Sequence, residues 1–115
     1  MDTTSRKNVL VVDADAKFRS KMTKVLSKHG CYVVTAKAHD SAIEIIETEL
    51  PDVVLVDPFV PGINIEEIHQ KARVAKPTVK LYLTAGHPTS RFQIIRKPIT
   101  EIVLLNTIGG CDNAA

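Results

Sequence analysis

Asp52-Val53-Val54-Leu55-Val56-Asp57-Pro58-Phe59-Val60-Pro61-Gly62 sets four consecutive aliphatic residues ahead of a carboxylate and a proline-bounded turn. A run without alternation suits a strand buried on both faces, the condition of a central strand in a parallel sheet. A sheet wet on one side would alternate apolar and polar side chains instead. Such a strand needs helices over both of its faces, so the rest of the chain has to supply them.

Further β-branched runs lie at 8–12 (NVLVV), 31–36 (CYVVTA), 79–84 (VKLYLT) and 92–96 (FQIIR). Between the first two, Phe18, Met22, Val25 and Leu26 fall on one helical face, and Lys28, His29 and Gly30 form a stop signal. Ile43, Ile46 and Leu50 give a second helix, opened by Asp40 or Ser41 and closed by Pro51. Ile65, Ile68, Ala72 and Ala75 give a third, with Asn64 as its N-cap and Pro77 beyond its end. A last helix is predicted from about Ile99 to Ile108, stopped by Gly109-Gly110, with CDNAA as a frayed tail.

The order is βαβαβαβ, a short connection, then βα, which argues for a doubly wound α/β fold with a five-stranded parallel sheet. Right-handed crossovers put every strand's C-terminal end on one edge, and in such sheets the working site lies there. Asp13 ends the first strand, Asp57 the third and Thr84 the fourth, while Lys97 follows the fifth.

Bulk properties narrow the function. The 115 residues suffice for one domain, expected over 8–108 between tails at 1–7 and 109–115. A net charge of +2 is too small to suggest nucleic-acid binding. No apolar run approaches the length that spans a bilayer and the first residues do not form a signal peptide, so neither a membrane role nor export is expected and the default location is cytoplasmic. Cys31 and Cys111 have no C-x-x-C partner, and Cys31 is taken as a small apolar strand residue. The four histidines show no metal-binding spacing and are expected to be solvated.

Two carboxylates, a hydroxyl and an ammonium at one sheet edge form a phosphoryl-handling set. Carboxylates bind a hard cation such as Mg²⁺ that neutralises phosphate charge, a Thr and a Lys hold phosphoryl oxygens, and a carboxylate can itself be the nucleophile.

On these residues the sequence resembles the CheY-like receiver domains of two-component response regulators. The matching pieces are VLVVDAD with Arg19 six residues beyond Asp13, DVVLVDPFVPG, LYLTA, and Arg96-Lys97-Pro98, in that order. The resemblance implies a flavodoxin-like sheet of order 2-1-3-4-5 and a signalling module in a phosphorelay, not an enzyme. It implies Asp57 as the acceptor of a phosphoryl group from a histidine kinase or phosphotransfer protein, with Thr84 and Lys97 contacting that group. Mg²⁺ would be held by Asp13, Asp57 and the backbone carbonyl of Phe59.

The sequence also departs from the family. Receivers carry two adjacent acids after the first strand; here Ala14 takes the second place, so Mg²⁺ binding and dependence are expected to be weak. Asp15 does not replace it, because the Asp13 to Arg19 spacing leaves no room for a register shift, and it is assigned to the N-cap of the first helix. Where the family has an aromatic residue three places before the lysine, this chain has Ile94.

Only 85–91 (AGHPTSR) separates the fourth and fifth strands, where the family has a helix. Seven extended residues reach about 23 to 25 Å, against about 17 Å needed to return along a five-residue strand. The competing antiparallel hairpin would carry Lys97 to the far edge, away from Asp57, so a parallel fifth strand reached by an extended loop, with the fourth helix missing, is predicted. That loss should expose Leu81 or Leu83 and Ile94 or Ile95, and Ile102-Val103-Leu104-Leu105 are too apolar for a helix left wholly in water. A homodimer or a partner on that face is the expected consequence. The alternatives are a phosphorylation-independent pseudo-receiver acting as an interaction module and, remotely, a haloacid dehalogenase-like phosphohydrolase using Asp13 and Asp15.

Overall fold

The computed structural model describes residues 6–86 and 91–112. Along the chain lie β1 (Asn8–Val12), α1 (Ala16–Lys28), β2 (Tyr32–Ala36), α2 (His39–Glu49), β3 (Val53–Val56), α3 (Ile65–Ala75), β4 (Lys80–Leu83), β5 (Gln93–Ile94) and α4 (Glu101–Ile108). The strands form one sheet in the order β2-β1-β3-β4-β5, and every neighbouring pair is parallel. The doubly wound five-stranded α/β architecture expected from the sequence is the one observed.

The unbroken apolar run at 53–56 has a direct cause. Alternate residues of a strand point to opposite faces, and here both faces are cores. Val53 and Leu55, with Val9, Val11 and Tyr82, meet Met22 and Leu26 of α1 and Leu104 and Ile108 of α4. Val54 and Val56, with Leu10, Val12, Leu81 and Leu83, meet Ala42 and Ile46 of α2 and Ile68 and Ala72 of α3.

Side-chain oxygens start three of the four helices. Asp15 accepts from the Lys17 N–H at 3.0 Å, Asn64 from the Glu67 N–H at 3.0 Å, and Thr100 from the Val103 N–H at 3.2 Å. The Thr100 cap starts α4 two residues later than predicted and leaves Ile99 buried ahead of it. α2 departs from expectation: its N-cap is Ala38, and neither Asp40 nor Ser41 opens it. Ser41 lies inside the first turn and its Oγ donates back to the Ala38 carbonyl at 3.0 Å. The helix ends at Leu50, whose φ of 50° is left-handed, immediately before Pro51.

β5 is two residues long, not five, but it pairs in parallel with β4 as predicted, Tyr82 beside Gln93 and Leu83 beside Ile94. Residues 84–86 and 91–92 carry no helix. Residues 87–90 lie outside the described ones, and with them part of the predicted extended loop and missing helix. The predicted exposure of the strand pair is corrected. Leu81, Leu83 and Ile95 are 8%, 1% and 3% exposed. Leu81 and Leu83 point into the core already filled by α2 and α3, and Phe92 and Ile94 pack against that core half-buried. α4 does carry two exposed apolar side chains, Ile102 and Val103, and others lie away from this face, at Phe59 and Val74 among them.

The cysteine assignment is also corrected: Cys31 and Cys111 form a disulfide across 80 residues of sequence. Both are buried in the α1 and α4 core. The residues after α4 are therefore not frayed as far as Asp112. Cys111 O accepts from the Lys7 N–H at 2.9 Å, the Lys7 ammonium reaches the Ile108 carbonyl, and Arg6 pairs with Asp112 in an antiparallel bridge. Two of the histidines, His39 and His69, are less solvated than expected. His39 ties α2 to α3 by accepting from the Asn64 N–H and bonding Glu67, and His69 packs edge-on to Phe92. Burial, then the Arg91 and Arg73 charges, lower the His69 pKa.

Candidate functional site

Val12, Val56 and Leu83 stand side by side as the last paired residues of β1, β3 and β4. The next residue of each strand is therefore at the same edge: Asp13, Asp57 and Thr84. The ladder continues just far enough to fix their backbones, since Asp57 N–H donates to Val12 O at 3.0 Å and Thr84 N–H to Val56 O at 3.1 Å.

Lys97 comes to this edge from beyond β5. Its Nζ donates to Asp13 Oδ2 at 2.7 Å and to Asp57 Oδ2 at 3.4 Å. A parallel β5 makes this possible; an antiparallel strand would have carried Lys97 to the opposite edge. Burial pulls the lysine pKa down, but the hydrogen bond and charge of Asp13, with Asp57 behind it, outweigh that and hold it above the ordinary value. The ammonium is thus charged throughout the physiological range.

Each carboxylate has one oxygen committed to backbone and one turned to Lys97. Asp13, 1% exposed, takes the Asp15 N–H on Oδ1 at 2.8 Å. Asp57 takes the Phe59 N–H on Oδ1 at 2.9 Å. The side chain of Arg19 clamps the same turn by donating to the Asp13 carbonyl at 2.7 Å, which accounts for the six-residue spacing. Thr84 is 1% exposed, and among the described residues its hydroxyl has no hydrogen-bond partner. A buried, unsatisfied hydroxyl costs stability unless something else uses it. Asp15 is turned away from the pocket onto the α1 backbone, and Ile94 is half-buried beside β4.

A hard cation that keeps several waters needs only one or two carboxylates and a carbonyl. Asp13, Asp57 and the Phe59 carbonyl provide that set in kind. The charge is smaller than a dedicated site would carry: Ala14 adds nothing, Lys97 already offsets one carboxylate, and no cluster of three acidic, His or Cys ligands occurs among the described residues.

A doubly wound parallel sheet of order 2-1-3-4-5 with covered faces defines the CheY-like α/β class. Within that class the chain belongs to the response regulator receiver domain family, whose model matches residues 9–108. It is therefore a signalling module of two-component systems rather than an enzyme, which removes the phosphohydrolase alternative. PilH of Pseudomonas aeruginosa is 29% identical over 112 residues, covering 87% of this chain and 93% of its own length. The probable transcriptional regulator ycf27 of Guillardia theta is 32% identical over 85 residues, 74% of this chain. The chain spans about a third of that relative's length, 34%. The chemotaxis protein CheY4 of Vibrio cholerae has the same fold, with a TM-score of 0.79 at 20% identity, over 91% of this chain and 98% of its own.

Two features of the site were not foreseen. Arg19 served as a spacing marker, and its hydrogen bond emerges only when the turn is built. Phe18 was read as core, yet its ring also meets Lys97. The signal available in sequence was its position one residue before Arg19, at the mouth of α1.

Proposed function

We propose that this chain accepts a phosphoryl group on Asp57 from a phosphohistidine of a histidine kinase or phosphotransfer protein, and signals by altered protein contacts. The observation that carries this reading is the Lys97 ammonium reaching both Asp13 and Asp57 at the strand edge. Asp57 Oδ2 is the nucleophile, since Oδ1 is engaged by the Phe59 N–H. As the O–P bond forms, the N–P bond of the donor breaks and its electron pair stays on the imidazole nitrogen. Lys97 follows the new negative charge from the carboxylate to a phosphoryl oxygen, and the Thr84 hydroxyl donates to another. Asp13, Asp57 and the Phe59 carbonyl would hold Mg²⁺ weakly; when bound, the ion neutralises part of the phosphoryl charge. A partner would cover Ile102 and Val103 of α4, the exposed apolar pair.

Beryllofluoride titration followed by amide NMR tests this. Shifts should centre on Asp57, Thr84 and Lys97, require high Mg²⁺, and disappear in Asp57→Asn. Ala14 favours a second reading, a pseudo-receiver that binds partners in one state; it predicts no shifts at Asp57 at any Mg²⁺ concentration.

The cytoplasmic setting belongs to the same proposal. No helix among the described residues is long and apolar enough to cross a membrane. Disulfides persist in oxidising compartments and in the cytosol of some hyperthermophiles; a reducing cytosol would hold Cys31 and Cys111 as thiols.

A further inference from the structure

Besides two carboxylates, Lys97 has a third neighbour. Its Nζ lies 4.3 Å from the centroid of the Phe18 ring. Phe18 is the third residue of α1 and packs half-buried against the core shared by α1 and α4. The ring is thus held by packing on one side while it meets the ammonium on the other. An ammonium near an aromatic face is attracted by the ring quadrupole, more strongly where water is partly excluded. The Lys97 side chain is 34% exposed, so water still reaches it and the carboxylates alone do not confine it. A flexible four-carbon stem gives the ammonium little preference of its own for one place.

We propose that Phe18 is a positioning residue, whose ring holds the Lys97 ammonium against Asp13 and within reach of Asp57 as the resident positive charge of a pocket that has Ala14 instead of an acid. Asp13 and Asp57 define two of the three sides of this cage, and Phe18 closes the third. A phosphoryl group arriving on Asp57 then meets a lysine already in the pocket. The effect on phosphoryl binding rests on the receiver reading above. The coupling of Phe18 to Lys97 does not.

Phe18→Leu keeps apolar bulk and removes the ring, whereas Phe18→Trp keeps a ring. In the full chain, the side-chain order parameter of the Lys97 ε-methylene, measured by NMR relaxation, should fall in Phe18→Leu and be retained in Phe18→Trp. The beryllofluoride concentration needed for half-maximal shifts should rise about two- to fivefold in Phe18→Leu alone. If Phe18→Leu fails to fold, 4-fluoro- and pentafluorophenylalanine at position 18 keep the shape while draining charge from the ring face, and the order of the Lys97 ε-methylene should fall stepwise. Unchanged order in Phe18→Leu, or a flat fluorinated series, overturns the proposal. Absence of beryllofluoride shifts in the wild-type chain would instead overturn the receiver reading, leaving the Lys97 order parameter to decide the role of Phe18.

Discussion

The two sides of the sheet are built differently. From β1 to α3, strands of four or five residues pair along their length and the helices run 11 to 13 residues. From β4 onward, β5 has two residues and α4 has eight. The thinner side nevertheless carries Thr84 and Lys97. What supplements the short strand and short helix there is a few long-range ties: the disulfide at the end of α4 and the Lys97 ion pairs at its beginning. Precision at a site therefore does not require extensive secondary structure near it, provided that the segment is anchored at both ends.

The largest break in this comparison should come from the disulfide. Closing a ring of 80 residues restricts the unfolded chain by about 4–5 kcal/mol in the chain-entropy model. Cys31→Ser with Cys111→Ser, or reduction, should lower unfolding free energy by up to about that amount in urea melts. Hydrogen exchange should quicken most in α4, with α2 and α3 little changed below the global limit. Equal quickening everywhere would erase the distinction between the two sides.

Lys97→Met is expected next. It leaves Asp13 buried beside Asp57 with no cation between them, and should cost about 1–3 kcal/mol, between an exposed and a buried pair. The pH dependence has a definite sign. The folded lysine pKa lies above its ordinary 10.5, so its contribution is complete below about pH 10.5 and is lost as pH rises through the higher folded value. Wild-type stability should fall more steeply than that of Lys97→Met in this range. The raised pKa of Tyr82, caused by burial, affects both proteins alike.

The smallest effects separate two caps. Asn64→Ala and Thr100→Ala each remove one helix-starting hydrogen bond, worth about 1 kcal/mol. In α3 the loss should appear in global stability. In α4 it should appear first as faster exchange within the helix, measured on the reduced protein so that the disulfide does not mask it.

The parts legible in the sequence were those with local causes. The run at 53–56 announced a doubly covered strand because every position in it is aliphatic, and Asn64 announced a helix start because its side chain bonds three residues ahead. The parallel β5 followed from chain reach, which made it feasible, and from the placement of Lys97, which an antiparallel hairpin would have carried away from Asp57. Ser41 was misplaced because a serine in the first turn can bond backward as readily as it caps. Leu81 and Leu83 were expected in the open because the predicted loss of a helix was counted and the cover supplied by α2 and α3 was not. The disulfide was hidden for a different reason. Spacing says nothing about a pair 80 residues apart, yet the topology brings them together, since helices run opposite to the strands and α4 ends at the edge where β2 begins. Phe18 hid behind its core role, as a half-buried ring has two faces and sequence periodicity accounts for only one.

The ring closed by Cys31 and Cys111 also changes what a broken backbone would mean. Most of the described chain, including α2, β3, α3, β4, β5 and α4, lies between the two cysteines. A protease that cut once anywhere in that span would produce no free fragment, because both pieces would stay joined through sulfur. After a nick between Asp57 and Lys97 the two would remain in one molecule, and a reductant would be needed to release them from each other.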